Sequence, residues 1–407
     1  MRILVYSHDS FGLGNIRRML AICEYLHKTV KDASILIISG SPMLQGFRIL
    51  QGIDYIKLPC LKRSVEGELD VRFLDIETAE IVRLRQELIQ STVASFRPDV
   101  VLVDKKPAGL AGELRPAMEW VRRVLPQTRT YLVLRDILDE PGVTIRQWEK
   151  SRAYETTDWC YDGVLVLGAR EVFDVCDEYA FPASLRRKVH FCGYVARTPP
   201  AQPREEMRHA LGAEHGEPLV LVTAGGGEDG YKLLHTYLES LRLAPVPFWR
   251  SAVVTGPELP AGQAAQIRQL ASQAGHVRVI EFTNDMIGCM NAADCIVSMG
   301  GYNTVCELLT LGKPAVVVPR ARPVAEQQLR AARMADLGLF RAIPEEQLEP
   351  VALRKAVETE LARGADPESP SQLLDMGALP RIRAIVQAQA EAPLPALAPF
   401  ALPEGVY

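Results

Sequence analysis

Two adjacent glycines near residue 300 are the feature of this sequence that points most clearly to chemistry. They follow the short apolar run Cys295–Ser298, which predicts a buried strand, and they precede Asn303 and Thr304, which are residue types that cap helices. Backbone N–H groups at the start of a helix lack intrahelical partners and attract anions. We therefore predict that this turn holds the diphosphate of a nucleotide sugar through Gly300, Gly301, Tyr302, Asn303 and Thr304.

Carboxylate and amide side chains lie close to the same turn in the sequence. Glu307 comes one helical turn later, where it is placed to accept hydrogen bonds from ribose hydroxyls. Glu326 and Gln327 follow the next predicted strand, which ends at Pro319, and side chains of these types bind sugar hydroxyls. These three residues extend the predicted donor site from the diphosphate to the ribose and the transferred sugar.

A second glycine-rich loop follows the predicted strand Leu219–Thr223. The spacing of Gly225 and Gly230 resembles half of a phosphate-binding P-loop, but Tyr231 stands where that motif requires lysine. Because glycine permits close approach to the backbone, we predict that Gly225 and Gly226 contact a phosphate or the acceptor. A purely structural turn is the alternative.

A third glycine-containing loop follows the first predicted strand. Gly12 and Gly14 match two positions of the dinucleotide-binding fingerprint, but Arg17 occupies its third glycine position, so NAD binding is not expected. We predict instead that Gly12, Gly14 and Asn15 let an acceptor or a phosphate approach the backbone.

Three titratable residues that follow predicted strands in the N-terminal half are candidates for a general base. They are His8, Asp104 and Asp136. A histidine titrates near neutrality when it is unperturbed, and a carboxylate can also accept a proton from a substrate hydroxyl. A structural role is the open alternative for each of the three. The sequence contains no Asp-x-Asp pair that could chelate a divalent ion, so neither a metal nor a cofactor is expected.

Short apolar runs rich in β-branched residues recur along the chain and predict the buried parallel strands that position these residues. In the first half they are Ile3–Tyr6, Ile35–Ile38, Tyr55–Leu58, Val100–Val103, Tyr131–Leu134, Val164–Leu167 and Val189–Phe191. In the second half they are Leu219–Thr223, Ala252–Thr255, Val277–Ile280, Cys295–Ser298 and Ala315–Val318. Helical patterns lie between them. In the stretch Ile76–Phe96 one apolar face is expected to contain Ile81, Leu84, Leu88, Val93 and Phe96.

This alternation predicts two α/β domains, each a Rossmann-like, doubly wound parallel sheet, that face each other across a cleft. The proline-rich, charged stretch after residue 195 predicts a linker. The predicted boundaries are an acceptor domain over 1–195, a linker over 196–212, a nucleotide-sugar donor domain over 213–365, and a C-terminal helix with a loose tail over 366–407.

Composition narrows the class of protein. The 407 residues are 48% hydrophobic and 24% charged, which is ordinary for a soluble enzyme, and the net charge of −4 gives no electrostatic case for binding nucleic acid. No apolar run reaches the roughly 18 residues that a membrane span requires. The eight cysteines lack zinc-ligand spacing and are expected to be buried free thiols. We predict a cytoplasmic protein, with peripheral contact to the inner membrane face as an open possibility.

The stretch from Glu281 to Ala332 resembles the donor domain of the MurG-type N-acetylglucosaminyltransferases, which have the two-domain fold called GT-B. The resemblance rests on the turn Phe282–Met286, the Gly300–Gly301 helix start with Thr304 and Glu307, the Gly312-x-Pro314 bend, and Glu326-Gln327. It implies that the backbone at Phe282 and Thr283 holds the uracil edge, that Gly300–Asn303 face the diphosphate, and that Glu326 and Gln327 contact the transferred sugar.

The sequence thus predicts a metal-independent hexosyltransferase that moves a hexose or N-acetylhexosamine from a UDP-type nucleotide sugar to an acceptor hydroxyl. The expected partners are the nucleotide-sugar donor and an acceptor that is lipid-linked or a saccharide. Two alternatives stay open. One is a nucleotide-sugar hydrolase or 2-epimerase, and the other is a protein that binds nucleotide sugars without catalysis.

Overall fold

The computed structural model of this chain describes residues 1–8, 14–42, 44, 50–63, 69–198, 202–364 and 374–390. Within these residues the chain forms two parallel β-sheets, each covered by helices on both faces. Fully buried runs such as Val100–Asp104 and Leu219–Thr223 form the central strands, as expected for strands that have no solvent-facing side.

The first sheet contains seven parallel strands in the order β3-β2-β1-β6-β7-β8-β9. Their bounds are β1 Arg2–Ser7, β2 Ser34–Ser39, β3 Ile53–Lys57, β6 Val100–Asp104, β7 Arg129–Arg135, β8 Gly163–Leu167 and β9 Val189–Phe191. Two short strands, β4 Leu61–Arg63 and β5 Leu69–Val71, pair antiparallel beside this sheet and were not expected from the sequence. The seven predicted strands of the first half are all present.

The second sheet contains six parallel strands in the order β12-β11-β10-β13-β14-β15. Their bounds are β10 Leu219–Thr223, β11 Arg250–Val254, β12 Val277–Ile280, β13 Cys295–Ser298, β14 Ala315–Val317 and β15 Arg341–Ala342. The two-residue strand β15 is too short to leave a pattern in the sequence. The other five were predicted.

Fifteen α-helices lie in the part of the chain that the structure describes. In the first half they are α1 Gly14–Thr29, α2 Thr78–Phe96, α3 Arg115–Val124, α4 Pro141–Lys150, α5 Ala153–Cys160, α6 Val175–Glu178 and α7 Ala183–Arg186. In the second half they are α8 Arg204–Ala210, α9 Tyr231–Leu241, α10 Ala261–Ala274, α11 Met286–Ala292, α12 Tyr302–Leu311, α13 Glu326–Asp336, α14 Pro350–Arg363 and α15 Ala378–Ala390.

The strand order creates one switch point in each sheet. In the first sheet β1 pairs with β2 on one side and β6 on the other, and in the second β10 lies between β11 and β13. Loops that leave the carboxyl ends of strands at such a point diverge and leave a crevice where ligands bind. The predicted site loops follow β1, β6, β10 and β13, so the topology brings them to these two crevices.

Two segments differ from the predicted organisation. The stretch predicted as a linker contains the short helix α8, whose Met207 and Arg208 are buried; Arg208 donates to the carbonyl of Ala292 at 2.7 Å. Only Met207 and Ala210 are apolar among its seven residues, so α8 leaves no helical pattern in the sequence. The C-terminal helix α15 packs back on the first domain, where the backbone N–H of Tyr194 donates to the carbonyl of Asp375 at 2.7 Å. The predicted loose tail lies outside the described residues.

The apolar face of α2 also differs from the prediction. The buried residues are Ile81, Arg85, Ile89 and Val93, whereas Leu84 and Leu88 are exposed. The predicted face is therefore rotated, because an arginine occupies a position on the buried stripe. All eight cysteines are buried free thiols, as predicted.

Candidate active site

His8 and Asp104 lie side by side because His8 directly follows strand β1 and Asp104 ends the neighbouring strand β6. The Nδ1 atom of His8 lies 3.2 Å from the backbone carbonyl oxygen of Asp104 and 3.8 Å from its Oδ2 atom. Burial lowers the pKa of His8 to about 3, against the opposing field of the Asp104 carboxylate. The imidazole is therefore neutral at pH 7, which is the state in which it can accept a proton.

Arg18 on α1 holds the other carboxylate oxygen of Asp104. Its Nη2 atom donates to Asp104 Oδ1 at 2.6 Å, and both side chains are buried. The same Nη2 atom donates to the side-chain oxygen of Asn15 at 3.2 Å. Asn15, predicted as part of the first glycine loop, therefore helps to fix the base region. Gly12 of that loop lies outside the described residues.

Asp136, the third candidate base, pairs with the second domain. Its two carboxylate oxygens accept hydrogen bonds from Nη2 and Nε of Arg330, both at 2.8 Å, and neither side chain is exposed. Its Oδ2 atom also accepts from the hydroxyl of Tyr194 at 3.1 Å. Both oxygens are engaged in this arrangement, so Asp136 is placed to join the domains rather than to take a proton from a substrate.

The glycine turn after β13 leads directly into α12, as predicted. Gly301 has φ −64° and ψ 142° and caps the helix, which begins at Tyr302. A Cβ atom on Gly300 would lie 3.2 Å from the carbonyl oxygen of Gln327, so the close approach of α13 favours glycine there. Thr304 is half-buried, whereas the ring of Tyr302 is buried and lies near Tyr194, with 6.1 Å between the ring centroids.

The start of α12 meets the start of α1. The side-chain amide of Asn303 donates to the backbone carbonyl of Gly14 at 2.7 Å. The Asn303 side-chain oxygen accepts from Nη2 of Arg197 at 2.9 Å. Glu307, buried one turn along α12, lies 3.4 Å from Nη2 of Arg17. Burial raises the pKa of Glu307, and Arg17 opposes that shift. Two helix N-termini therefore converge beside a carboxylate.

Glu326 at the start of α13 also faces the first domain. Its Oε2 atom lies 2.5 Å from Nη2 of Arg135, the last residue of β7. Burial raises the pKa of Glu326, but Arg135, Arg330 and Lys105 outweigh burial and lower it to about 2. Burial, reinforced by Arg135, lowers the pKa of Lys105 to about 7. This side of the cleft therefore combines an ionised carboxylate with several cations.

The remaining predicted donor residues lie on helix α13 and on loops of the second domain. Gln327 is buried, and its side-chain oxygen accepts from the backbone N–H of Arg320 at 3.4 Å. Gly225 has φ +67°, a left-handed conformation that favours glycine. Phe282 is exposed, and the hydroxyl of Thr283 accepts from the backbone N–H of Asp285 at 3.1 Å. Gly226 follows Gly225 in the same loop.

Two arginines of this network were not identified from the sequence. Arg18 and Arg330 are both fully buried, and each guanidinium lies 5.5 Å from the ring centroid of Tyr302. Arg18 binds the carboxylate of Asp104, and Arg330 binds that of Asp136. Tyr302, the first residue of α12, therefore lies near both carboxylates of the first domain. Among the described residues, no cluster of three or more His, Cys, Asp or Glu side chains is placed to hold a metal ion.

The second domain matches a known family. Residues 250–375 match the Glycosyltransferase family 28 C-terminal domain. A UDP-N-acetylglucosamine–N-acetylmuramyl-(pentapeptide) pyrophosphoryl-undecaprenol N-acetylglucosamine transferase of Glaesserella parasuis is 27% identical over 150 residues, which cover 37% of this chain and 41% of that protein. The first relatives are matched over 38% to 49% of their own length, less than half in each case.

Solved structures resemble the whole chain. The MurG structure of Acinetobacter baumannii has a TM-score of 0.62 at 17% identity, and the match covers 95% of this chain and 99% of that one. A UDP-GlcNAc 2-epimerase of Neisseria meningitidis, solved with UDP-GlcNAc bound, has a TM-score of 0.60 at 16% identity, with coverage of 96% and 100%. At these identities the likeness shows the fold. The chain thus has the GT-B fold, with a second domain that matches the family 28 C-terminal domain, and the MurG-like resemblance seen in its sequence is confirmed.

Proposed function

We propose that this protein transfers a sugar from a UDP-type nucleotide sugar to an acceptor hydroxyl without a metal ion. One observation carries the proposal: in a domain that matches a glycosyltransferase family, a glycine turn begins helix α12, and α12 contacts α1 of the first domain, whose Arg18 binds Asp104. Two relatives of this chain are UDP-N-acetylglucosamine–N-acetylmuramyl-(pentapeptide) pyrophosphoryl-undecaprenol N-acetylglucosamine transferases, which favours a UDP-sugar donor.

The convergence of two helix starts supports a diphosphate site. The side chain of Asn303 joins the start of α12 to that of α1, so the two helix starts, which carry the positive ends of the helix dipoles, lie next to each other. We propose that the amide groups from Gly300 to Tyr302 hold the diphosphate and that Glu307 accepts the ribose hydroxyls. Glu326 and Gln327 then contact the transferred sugar, and Phe282 and Thr283 hold the uracil edge.

The reaction would be a direct displacement at the anomeric carbon. The acceptor oxygen forms a bond to that carbon while the bond from the carbon to the diphosphate oxygen breaks. The acceptor proton passes to the imidazole of His8, and UDP leaves against the helix starts. Asp104 orients the ring, because Nδ1 of His8 lies 3.2 Å from its carbonyl oxygen and 3.8 Å from its Oδ2 atom, and we assign the proton transfer to Nε2. Lys105 and Arg135 would steady the phosphate charge that develops.

Replacing Glu307 with glutamine should weaken UDP binding by about 10- to 100-fold, since a hydrogen bond to a charged group contributes roughly 1.5–3 kcal/mol. Isothermal titration calorimetry with UDP and UDP-sugars measures the effect. Glu358→Gln, an exposed carboxylate of α14, is the matched control and should bind like the wild type. If the Glu307→Gln protein binds UDP as tightly as the wild type does, Glu307 does not contact the ribose. If the wild type gives no heat of binding with any UDP-sugar, the proposed donor is wrong.

Because the fold is also that of a UDP-GlcNAc 2-epimerase, the assay should distinguish sugar transfer from hydrolysis or epimerisation of the nucleotide sugar. A hydrolase or epimerase acts on the nucleotide sugar alone, whereas a transferase depends on an acceptor. Product analysis by mass spectrometry with and without acceptor extract distinguishes them. Release of free sugar without an acceptor, or isomerisation of the donor, favours a hydrolase or epimerase. Binding without any turnover favours a protein that only binds nucleotide sugars.

We propose that the first domain also binds peripherally to an anionic membrane surface. None of the helices in the described residues is long and apolar enough to cross a bilayer. Three apolar side chains just before α2 are nonetheless exposed, namely Phe73, Leu74 and Ile76, and the guanidinium of Arg72 lies 5.3 Å from the ring centroid of Phe73. Apolar side chains beside a cation suit the interface of an anionic bilayer.

The double variant Phe73→Ser/Leu74→Ser should bind anionic vesicles about 10²- to 10⁴-fold more weakly, because burial of each side chain contributes roughly 1.5–3 kcal/mol. Vesicle co-sedimentation measures the difference. The double variant Val246→Ser/Phe248→Ser removes an exposed apolar pair of the second domain and should leave binding unchanged. Equal binding of all three proteins contradicts the proposed membrane contact.

A further inference from the structure

A single guanidinium joins the two domains at the predicted diphosphate turn. Arg330 lies on α13 of the second domain, and Nε and Nη2 donate to the two carboxylate oxygens of Asp136, which follows β7 of the first domain. Its third nitrogen, Nη1, donates to the backbone carbonyl of Gly300 at 3.0 Å. The planar, forked geometry of arginine permits all three bonds at once.

The pair is stable only while the domains are together. Both side chains are fully buried, and taking either charge out of water is costly unless its partner is in place. Asp136 retains partners within its own domain, the hydroxyl of Tyr194 and the backbone N–H of Ile137, the latter at 2.7 Å. Arg330 retains the carbonyl of Gly300. Opening the cleft would therefore separate Arg330 from Asp136 and leave each on its own domain.

The bond to Gly300 fixes the direction of the next amide. In a planar trans peptide the carbonyl of one residue and the N–H of the following residue point in opposite directions. Because Arg330 holds the Gly300 carbonyl, the N–H of Gly301 points away from Arg330. That N–H belongs to the residue that caps α12, so it is among the amides available to an anion.

We propose that Arg330 is a positioning residue for sugar transfer and that Asp136 makes its action depend on domain closure. Arg330 sets the Gly300–Gly301 peptide so that its amide meets the departing diphosphate, and Asp136 holds the Arg330 side chain in the required rotamer only in the closed molecule. Donor alignment and closure are thereby coupled through one side chain. The inference rests on the proposed function, since it assigns a role within that site.

Two conservative variants separate the two parts of this role. Asp136→Asn removes the negative charge from the Asp136–Arg330 pair, which we call the clasp. We expect a larger radius of gyration in small-angle X-ray scattering. We also expect a kcat about 10- to 100-fold lower, because the reacting groups are then misplaced. Arg330→Lys retains the charge for Asp136 but cannot also bind the Gly300 carbonyl. It should scatter like the wild type and show a similar loss of kcat, with the KM for the acceptor unchanged.

Arg333→Met is the matched control. Arg333 lies on the same helix and also pairs across the domains, with Glu178 at 2.9 Å, but its side chain is half exposed. It should leave both scattering and kcat unchanged, because exposed pairs contribute little. Circular dichroism confirms that each variant is folded.

The outcomes distinguish this inference from the proposed function. If Asp136→Asn has the scattering and the kcat of the wild type, the Asp136–Arg330 pair does not hold the domains together. If Arg330→Lys keeps the full kcat, Arg330 does not position the Gly300–Gly301 peptide. If the wild type binds no UDP-sugar, the proposed function fails, whereas the scattering of Asp136→Asn still decides whether the pair holds the domains together.

Discussion

Replacing His8 with glutamine is expected to lower the kcat of sugar transfer by about 10²–10⁴-fold, the range that a general base contributes. His8 is neutral at pH 7 because burial holds its pKa near 3, and its Nδ1 atom lies 3.2 Å from the backbone carbonyl oxygen of Asp104. Donor affinity should not change, since the contacts proposed for the diphosphate and the ribose, Gly300–Tyr302 and Glu307, do not involve the imidazole of His8. Steady-state kinetics combined with calorimetry separates the two effects.

The pH profile gives an independent check. A base with a folded-state pKa of about 3 is already unprotonated at pH 5, so kcat/KM should not fall between pH 8 and pH 5 on account of His8. The variant His190→Gln, a half-buried histidine on β9, is the control and should retain activity. A drop of activity through pH 6.5 that persists in His190→Gln shows that His8 titrates like an exposed histidine, and an active His8→Gln protein removes His8 as the base.

Replacing Arg85 with methionine should lower the free energy of unfolding of the first domain by about 3–5 kcal/mol, the usual cost of leaving one member of a buried ion pair alone. Arg85 on α2 donates to both carboxylate oxygens of Glu113, at 2.5 and 2.6 Å, and both side chains are fully buried. The hydroxyl of Tyr6 on β1 bonds to the same carboxylate. Loss of Arg85 therefore leaves a carboxylate in the core without its cation.

Urea unfolding followed by circular dichroism measures this loss as a lower midpoint of the transition of the first domain. Arg83→Met, two residues earlier on the exposed face of α2, is the control and should shift the midpoint little. The double variant Arg85→Met/Glu113→Leu should recover most of the stability, because an apolar pair of similar volume replaces a buried ion pair at low cost. A double variant no more stable than Arg85→Met contradicts this account.

The sequence was sufficient for the sheets but not for every helix face. Each long parallel strand is a short apolar run that no solvent-facing side interrupts, so composition alone reveals it. The face of α2 was predicted wrongly because Leu84 and Leu88 are apolar and Arg85 is charged. Arg85 is nonetheless buried, since Glu113 neutralises it from 28 residues away, and helical spacing carries no information about such a partner.

The same limit applies to the candidate site. Asp104 and Asp136 look equivalent in the sequence, because both follow buried strands of the first domain. The structure separates them through their partners: Arg18 lies within the first domain, whereas Arg330 lies 194 residues from Asp136 on the other domain. The glycine turn and Glu307 were predictable because a helix start and its first turns are local. The roles assigned to them remain predictions.

The return of α15 to the first domain has a mechanical consequence. The polypeptide leaves the first sheet after Val195, builds the second sheet, and comes back to pair Val195 with Gly377. The chain therefore passes between the two lobes twice, and the ends of both connections meet in the first lobe at Val195 and Gly377. Because both connections meet at this one place, we expect the lobes to rotate about it rather than to move apart.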